Sequence, residues 1–257
     1  KWSAGSRDPW VEAIICDLEA ALLSERREFD SAMVLLERAI QRFEVEGDRH
    51  LVGRTWLSKA FVLGAKGDFH EAIEALEEGI SLVEPEAEPR LALLAKHNLL
   101  VFLREEGRLG EIEDLLPDTR MTHSRLGNSV DLMRFKWLEG QIAVDSDRWS
   151  EAEGLFVEVK QFFVEKGMAH DVALVSLDLA HVYLRQDRIA ELKSLAAEML
   201  TIFRALRVHQ ETLAALAFCR KALEVEQLTV GLVSELAACL EKARERARFG
   251  VGLSVAE

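Results

Sequence analysis

Five stretches of this chain begin alike, at a constant spacing of 40 residues. Phe29, Phe69, Leu109, Trp149 and Ile189 mark them, and the third residue on is Ala32, Ala72, Ile112, Ala152 or Leu192. Apolar residues at helical spacing follow each one. A fixed period of this size is the signature of a solenoid, in which each unit is one supersecondary element that buries its apolar face only by stacking on its neighbours. Two further columns keep the same period. Positions 20, 60, 100, 140 and 180 read Ala, Ala, Leu, Gly and Ala, and positions 47, 127 and 167 are all glycine. Small residues repeated at one helical position let two helices approach closely.

The periodicity predicts helix pairs throughout. Asp8-Pro9 is a good helix start, because proline in the first turn forfeits no hydrogen bond. Residues 10–26 then read as a helix with Ile14, Ile15, Leu18, Leu22 and Leu23 on its apolar side. Helices follow over 29–46, 49–66, 69–83 and 90–106, separated by short turns. Glu84-Pro85-Glu86-Ala87-Glu88-Pro89 reads as a solvated connection. Pro117 is expected to end or kink the helix opening at Leu109 near Leu116, with 118–127 resuming as a short or irregular segment. Further helices are expected over 129–144, 149–166, 170–186, 189–206, 209–226 and 229–248. The division is then an N-terminal extension over 1–9, a helical repeat domain over 10–249 and a tail over 250–257. The fold class is all-α, a right-handed superhelical solenoid of about six antiparallel helix pairs.

Three segments carry a family resemblance: Gly67-Asp68-Phe69-His70-Glu71-Ala72-Ile73, Asp147-Arg148-Trp149-Ser150-Glu151-Ala152 and Glu28-Phe29-Asp30-Ser31-Ala32. With the small residues Ala60, Gly64, Gly140 and Ala180, they resemble the tetratricopeptide repeat family. The family's usual unit is 34 residues, so 40-residue units imply longer helices, and glycine stands where the family's proline closes the second helix. The long variety resembles helical sensor and scaffold domains of bacterial regulators. The resemblance implies a right-handed superhelix whose first helices line a concave face and bind a peptide or a partner's extended segment.

Site chemistry is sparse. The seven histidines, His123 among them, read as turn and helix-surface residues; they lack metal-ligand spacing and H-E-x-x-H is missing, so neither a metal nor a cofactor is expected. There is no G-x-S-x-G and no phosphate-cradling glycine loop. An enzyme is not expected. The formal net charge of −13 argues against a phosphate-binding surface, since such surfaces are built from clustered Lys and Arg. No run of 18 uncharged apolar residues is present, and residues 1–9 contain no apolar signal core, so neither membrane insertion nor export is expected. Cys16, Cys219 and Cys239 are an odd, scattered set that reads as thiols in a reducing cytoplasm. The chain starts without methionine, and a segment excised from a longer protein is expected.

One constellation suits a binding groove. Positions 56, 96, 136 and 176 share a register and read Trp, Lys, Lys and Ser, with Arg54, Asn98 and Arg134 beside them. Arg54, Trp56, Lys96, Asn98, Arg134 and Lys136 are therefore the candidate groove residues. On consecutive first helices they form a basic strip with an amide, suited to an acidic peptide or a C-terminal carboxylate. Trp137 is a further first-helix aromatic for such a face. The expected function is a cytoplasmic, non-enzymatic scaffold or sensor that binds a protein or peptide segment. The rival is the sensory part of a bacterial transcription regulator or signalling enzyme whose effector domain lies elsewhere. The sequence leaves oligomeric state open.

Overall fold

The computed structural model describes residues 9–205. Ten helices follow one another there: α1 (Pro9–Glu25), α2 (Phe29–Glu46), α3 (Arg49–Lys66), α4 (Phe69–Leu82), α5 (Pro89–Glu105), α6 (Leu109–Leu126), α7 (Ser129–Asp145), α8 (Trp149–Glu165), α9 (Ala169–Arg185) and α10 (Ile189–Ala205). No strand occurs among the described residues. The expected helices over 209–226 and 229–248, the tail, Cys219 and Cys239 lie outside them. The chain divides into two compact units, Lys1–Leu132 and Met133–Glu257.

The turn inside each pair repeats atom for atom. One or two residues past the helix end the backbone takes positive φ, at Arg27 (62°), Gly67 (97°), Gly107 (70°), Asp147 (56°) and Asp187 (56°). The next amide then reaches back to the last turn: Glu28 to the Leu23 carbonyl, Asp68 to Leu63, Arg108 to Leu103, Arg148 to Ala143 and Arg188 to Tyr183, at 2.8–3.0 Å. This is the Schellman closure, which satisfies carbonyls that a helix end leaves open. Between pairs, Gly47 and Gly167 are also left-handed, at 76° and 67°. Gly127, in the same sequence column, departs from them: its backbone is extended, with φ −80° and ψ 146°. There Asn128 Oδ1 accepts the Val130 and Asp131 N–H groups, while Asp131 Oδ2 accepts the Asn128 N–H, so a reciprocal cap starts α7.

Pairs close on small residues. A Cβ on Gly53 would stand 2.7 Å from Leu82 Cβ, and one on Gly79 would stand 2.5 Å from Leu57 Cδ2. Positions rise along α3 as they fall along α4, so the two run antiparallel at close range. Gly140 does the same for α7 and α8, with Phe156 filling the space a side chain would need. The opening residues of the second helices tie one pair to the next. Phe69 lies 5.8 Å, centroid to centroid, from Phe102 of α5. Trp149 lies 6.1 Å from His181 of α9. Phe29 packs on the cluster of Ala20, Ala32, Leu36 and Val62.

Three sequence expectations are corrected. First, α6 runs unbroken through Pro117. Proline forfeits one bond to the Glu113 carbonyl. Both residues are exposed, so water can serve that carbonyl, while Ile112, Thr119, Thr122 and His123 keep the opposite face buried. Second, α1 buries Ala13, Cys16 and Ala20, and leaves Leu18 and Leu22 exposed. Third, His123 is no surface histidine. It is buried, its Nδ1 lies 2.9 Å from the Thr119 carbonyl, and His97 lies 5.5 Å away, ring to ring.

Candidate partner-binding face

The candidate residues divide by the direction in which they reach. Lys96 and Lys136 reach across their own pairs. Lys96 Nζ donates to Asp118 Oδ2 at 2.5 Å and to Thr122 Oγ1 at 3.1 Å, both on α6. Lys136 pairs with Glu158 of α8. Arg54 and Arg134 reach forward instead. Arg54 meets Glu88, just ahead of α5, at 3.0 Å, and Glu88 also meets His50 Nε2 at 2.9 Å. Arg134 meets Asp171 of α9 at 3.2 Å. Asn98 is half-buried on α5. Trp56 faces backward: it packs against the cluster of Ala13, Cys16, Ala39, Ile40, Phe43 and Val52, with the Lys59 ammonium 4.8 Å above its ring.

Each of the four basic candidates thus has an acidic partner. The sequence contains a signal for half of this. Lys96 to Asp118 and Lys136 to Glu158 are both steps of 22 residues, one period apart. The connection at 84–89, read as mere solvated linkage, supplies Glu88 to two basic side chains.

Unit 2 holds a polar cluster that sequence reasoning missed. Asp178 Oδ2 accepts from Trp137 Nε1 at 2.6 Å and from Gln141 Nε2 at 2.9 Å. Trp137 is half-buried, its ring edge-on to Phe163 at 6.1 Å. No motif flags Asp178, since the bond depends on α7 and α9 lying side by side. Nearby, burial lowers the pKa of His181, the Arg185 charge adds to that, and Asp145 opposes both. In unit 1, burial opposes ionisation of Asp131. The Arg90 guanidinium, the Asn128 N–H and the His123 charge outweigh it, so the carboxyl is held below its usual value.

The most exposed column of the first helices changes between basic and aliphatic from pair to pair, while the packing columns stay small or apolar. Positions 54, 94, 134 and 174 read Arg, Leu, Arg and Leu. Among the described residues, no three His, Cys, Asp or Glu side chains gather to hold a metal, and no helix is long and apolar enough to cross a membrane.

These features define a helical-repeat protein of the tetratricopeptide-like class. No protein-family model matches the sequence, and no curated protein sequence matches it. Solved structures do. A signal transduction ATPase with numerous domains and a tetratricopeptide repeat sensor, from Pyrococcus horikoshii, superposes with a TM-score of 0.72 at 11% identity, over 96% of this chain and 38% of that one. A Rap protein complexed with competence and sporulation factor gives 0.64 at 13% identity, over 96% and 75%. The kinesin light chain-like repeats of Podosopora anserina give 0.63 at 16% identity, over 79% and 100%.

Proposed function

We propose that the protein is a non-enzymatic, cytoplasmic scaffold or sensor that holds a peptide or protein segment on its first-helix face. The observation behind this reading is the column Arg54, Leu94, Arg134 and Leu174, which changes chemistry while the turn inside each pair repeats. A scaffold that keeps its packing positions small or apolar and changes its surface residues offers a charged anchor at some pairs and an aliphatic one at others. Arg54, Trp56, Lys96, Asn98, Arg134 and Lys136 are the candidate anchors. An acidic segment suits them despite their partners. Exposed ion pairs are worth about 0–1 kcal/mol, so a ligand carboxylate exchanges with Glu88 or Asp171 at little cost. Nucleic acid and membrane are not proposed partners, given the net charge of −13.

A second reading, the sensory part of a transcription regulator or signalling enzyme, draws on the Pyrococcus protein, of which this chain matches 38%. Both readings share the binding face. The test is a peptide array probed with wild type, with Arg54→Ala/Asn98→Ala/Arg134→Ala, with Lys96→Ala/Lys136→Ala, and with Glu74→Ala on α4 as control. Binding is expected to fall about 10-fold or more in the first variant, as for loss of one anchor of about 1.4 kcal/mol or more. Equal binding by wild type and both groove variants would sink the assignment.

A further inference from the structure

The start of unit 1 presents an aliphatic stripe that its own pair leaves uncovered. Val11, Ile15, Leu18 and Leu22 share one face of α1, at steps of four, three and four residues. Val11 is 42% exposed, Leu18 62% and Leu22 64%. One exposed leucine needs no explanation, but an aligned aliphatic row does.

The repeat shows what such a face meets. One period on, the counterparts are Leu51, Thr55, Ser58 and Val62 of α3. Two periods on, they are Leu91, Ala95, Asn98 and Phe102 of α5. All eight are buried or half-buried. Leu51 packs on the cluster that α1 and α2 build with Val52. Val62 packs with Ala20, Ala32 and Leu36, where Phe29 also lies. Ser58 donates to Asp17 of α1. Phe102 lies against Phe69 and over Gly64, where no Cβ would fit. In unit 2, Val175 and Val182 of α9 are fully buried, and Asp178 takes the α7 donors. This column is therefore the receiving side of every junction in which its contacts are seen. The position of Leu22 meets the apolar opening of the preceding pair's second helix.

We propose that the Val11–Ile15–Leu18–Leu22 face of α1 is half of one more repeat-to-repeat junction. Its occupant is a helix pair of the same kind, contributed by polypeptide ahead of Lys1. That pair would bring a bulky apolar residue, as Phe29 and Phe69 do, over Leu22, and a small residue in its first helix, as Gly64 does beneath Phe102. The continuity of the junction geometry argues for this occupant. Charge argues against a second copy of the same face. α1 has no basic residue, and although Glu12 is paired with Arg38 of α2, Glu19 and Glu25 also flank or follow the stripe. Two such helices side by side would gather carboxylates along one seam with nothing on either helix to offset them. A terminal repeat that ended a solenoid here would carry a polar outer face.

The test places a cysteine at Leu22→Cys in the natural polypeptide, expressed from its native start, and in residues 1–257. Maleimide labelling is followed at dilute concentration, with the labelled position located by peptide mass spectrometry. Val34→Cys on the exposed side of α2 serves as the control, and it should label quickly in both proteins. Residue 22 should label quickly in the 257-residue chain and about 10-fold or more slowly in the longer polypeptide, because protection follows the local opening of a covered face. Equal labelling in the two proteins, including the case where the natural chain starts at Lys1, would overturn the proposal. So would protection that rises with protein concentration, which would assign the face to a second copy.

Discussion

Asp17 is a charge in the wrong solvent. Its Oδ1 is buried with no hydrogen-bond partner, while Ser58 supplies a bond to the carboxyl and Arg54 a favourable charge. Burial is the largest influence and outweighs both, so its pKa is raised above the ordinary 3.8. The folded protein thus holds this proton more tightly than the unfolded chain. Between 3.8 and the raised value the native state binds more protons, and stability falls as pH rises through that window. Above it the penalty stays in full. Asp17→Asn removes the charge and keeps an acceptor for Ser58. It is expected to be more stable than wild type at pH 7, with the gap narrowing as pH approaches 3.8. Urea unfolding at pH 7, 5 and 4 measures this. A gap that does not change with pH would refute the account.

At the scale of the element, the turn inside each pair sets the register, and residue type sets its cost. The same left-handed position holds glycine at 67 and 107, aspartate at 147 and 187, and arginine at 27. A side chain in this conformation costs about 1–2 kcal/mol, whereas glycine brings an entropic cost of about 0.5–1 kcal/mol. Arg27→Gly should therefore stabilise by roughly 0.5–1 kcal/mol. Asp147→Gly should gain less, because aspartate tolerates the left-handed region better. Thermal unfolding of the two variants ranks them, and a larger gain for Asp147→Gly would contradict the argument. Most of these elements were legible in the sequence: α2 and α3 have the boundaries that the 40-residue period predicts. The face of α1 was not, because α1 is apolar on two sides, and a 3.6-residue pattern does not say which side meets its own pair and which meets a neighbour. Nor were the partners of Arg54 and Arg134. Whether Arg54 reaches Glu88 or solvent depends on how α3 lies against the start of α5, which no spacing within one helix encodes. Pro117 shows the converse: the local rule was sound, but an exposed carbonyl made the break unnecessary.

Among the described residues of each unit, contacts join near neighbours. In unit 1, α1 meets α2 and α3, α3 meets α4, and α4 meets α5, which meets α6; in unit 2, α8 meets α9, which meets α10. Stability in such an array is close to a sum over units and their adjoining interfaces, so damage should stay local. Gly140 offers a clean place to cause it. A Cβ there would lie 2.5 Å from Phe156 Cε1, and Phe156 is fully buried. Overpacking of this kind costs about 1–3 kcal/mol. In Gly140→Ala, amide exchange should accelerate through α7 and α8, while α3 and α4 keep their wild-type protection. Residue-resolved hydrogen exchange reads both at once. A uniform loss across all four helices would mean that the chain unfolds as one cooperative body, and the additive picture of its repeats would have to be abandoned. If the loss is confined, the binding face can be altered one pair at a time, since each anchor's helix would then depend on its immediate neighbours alone.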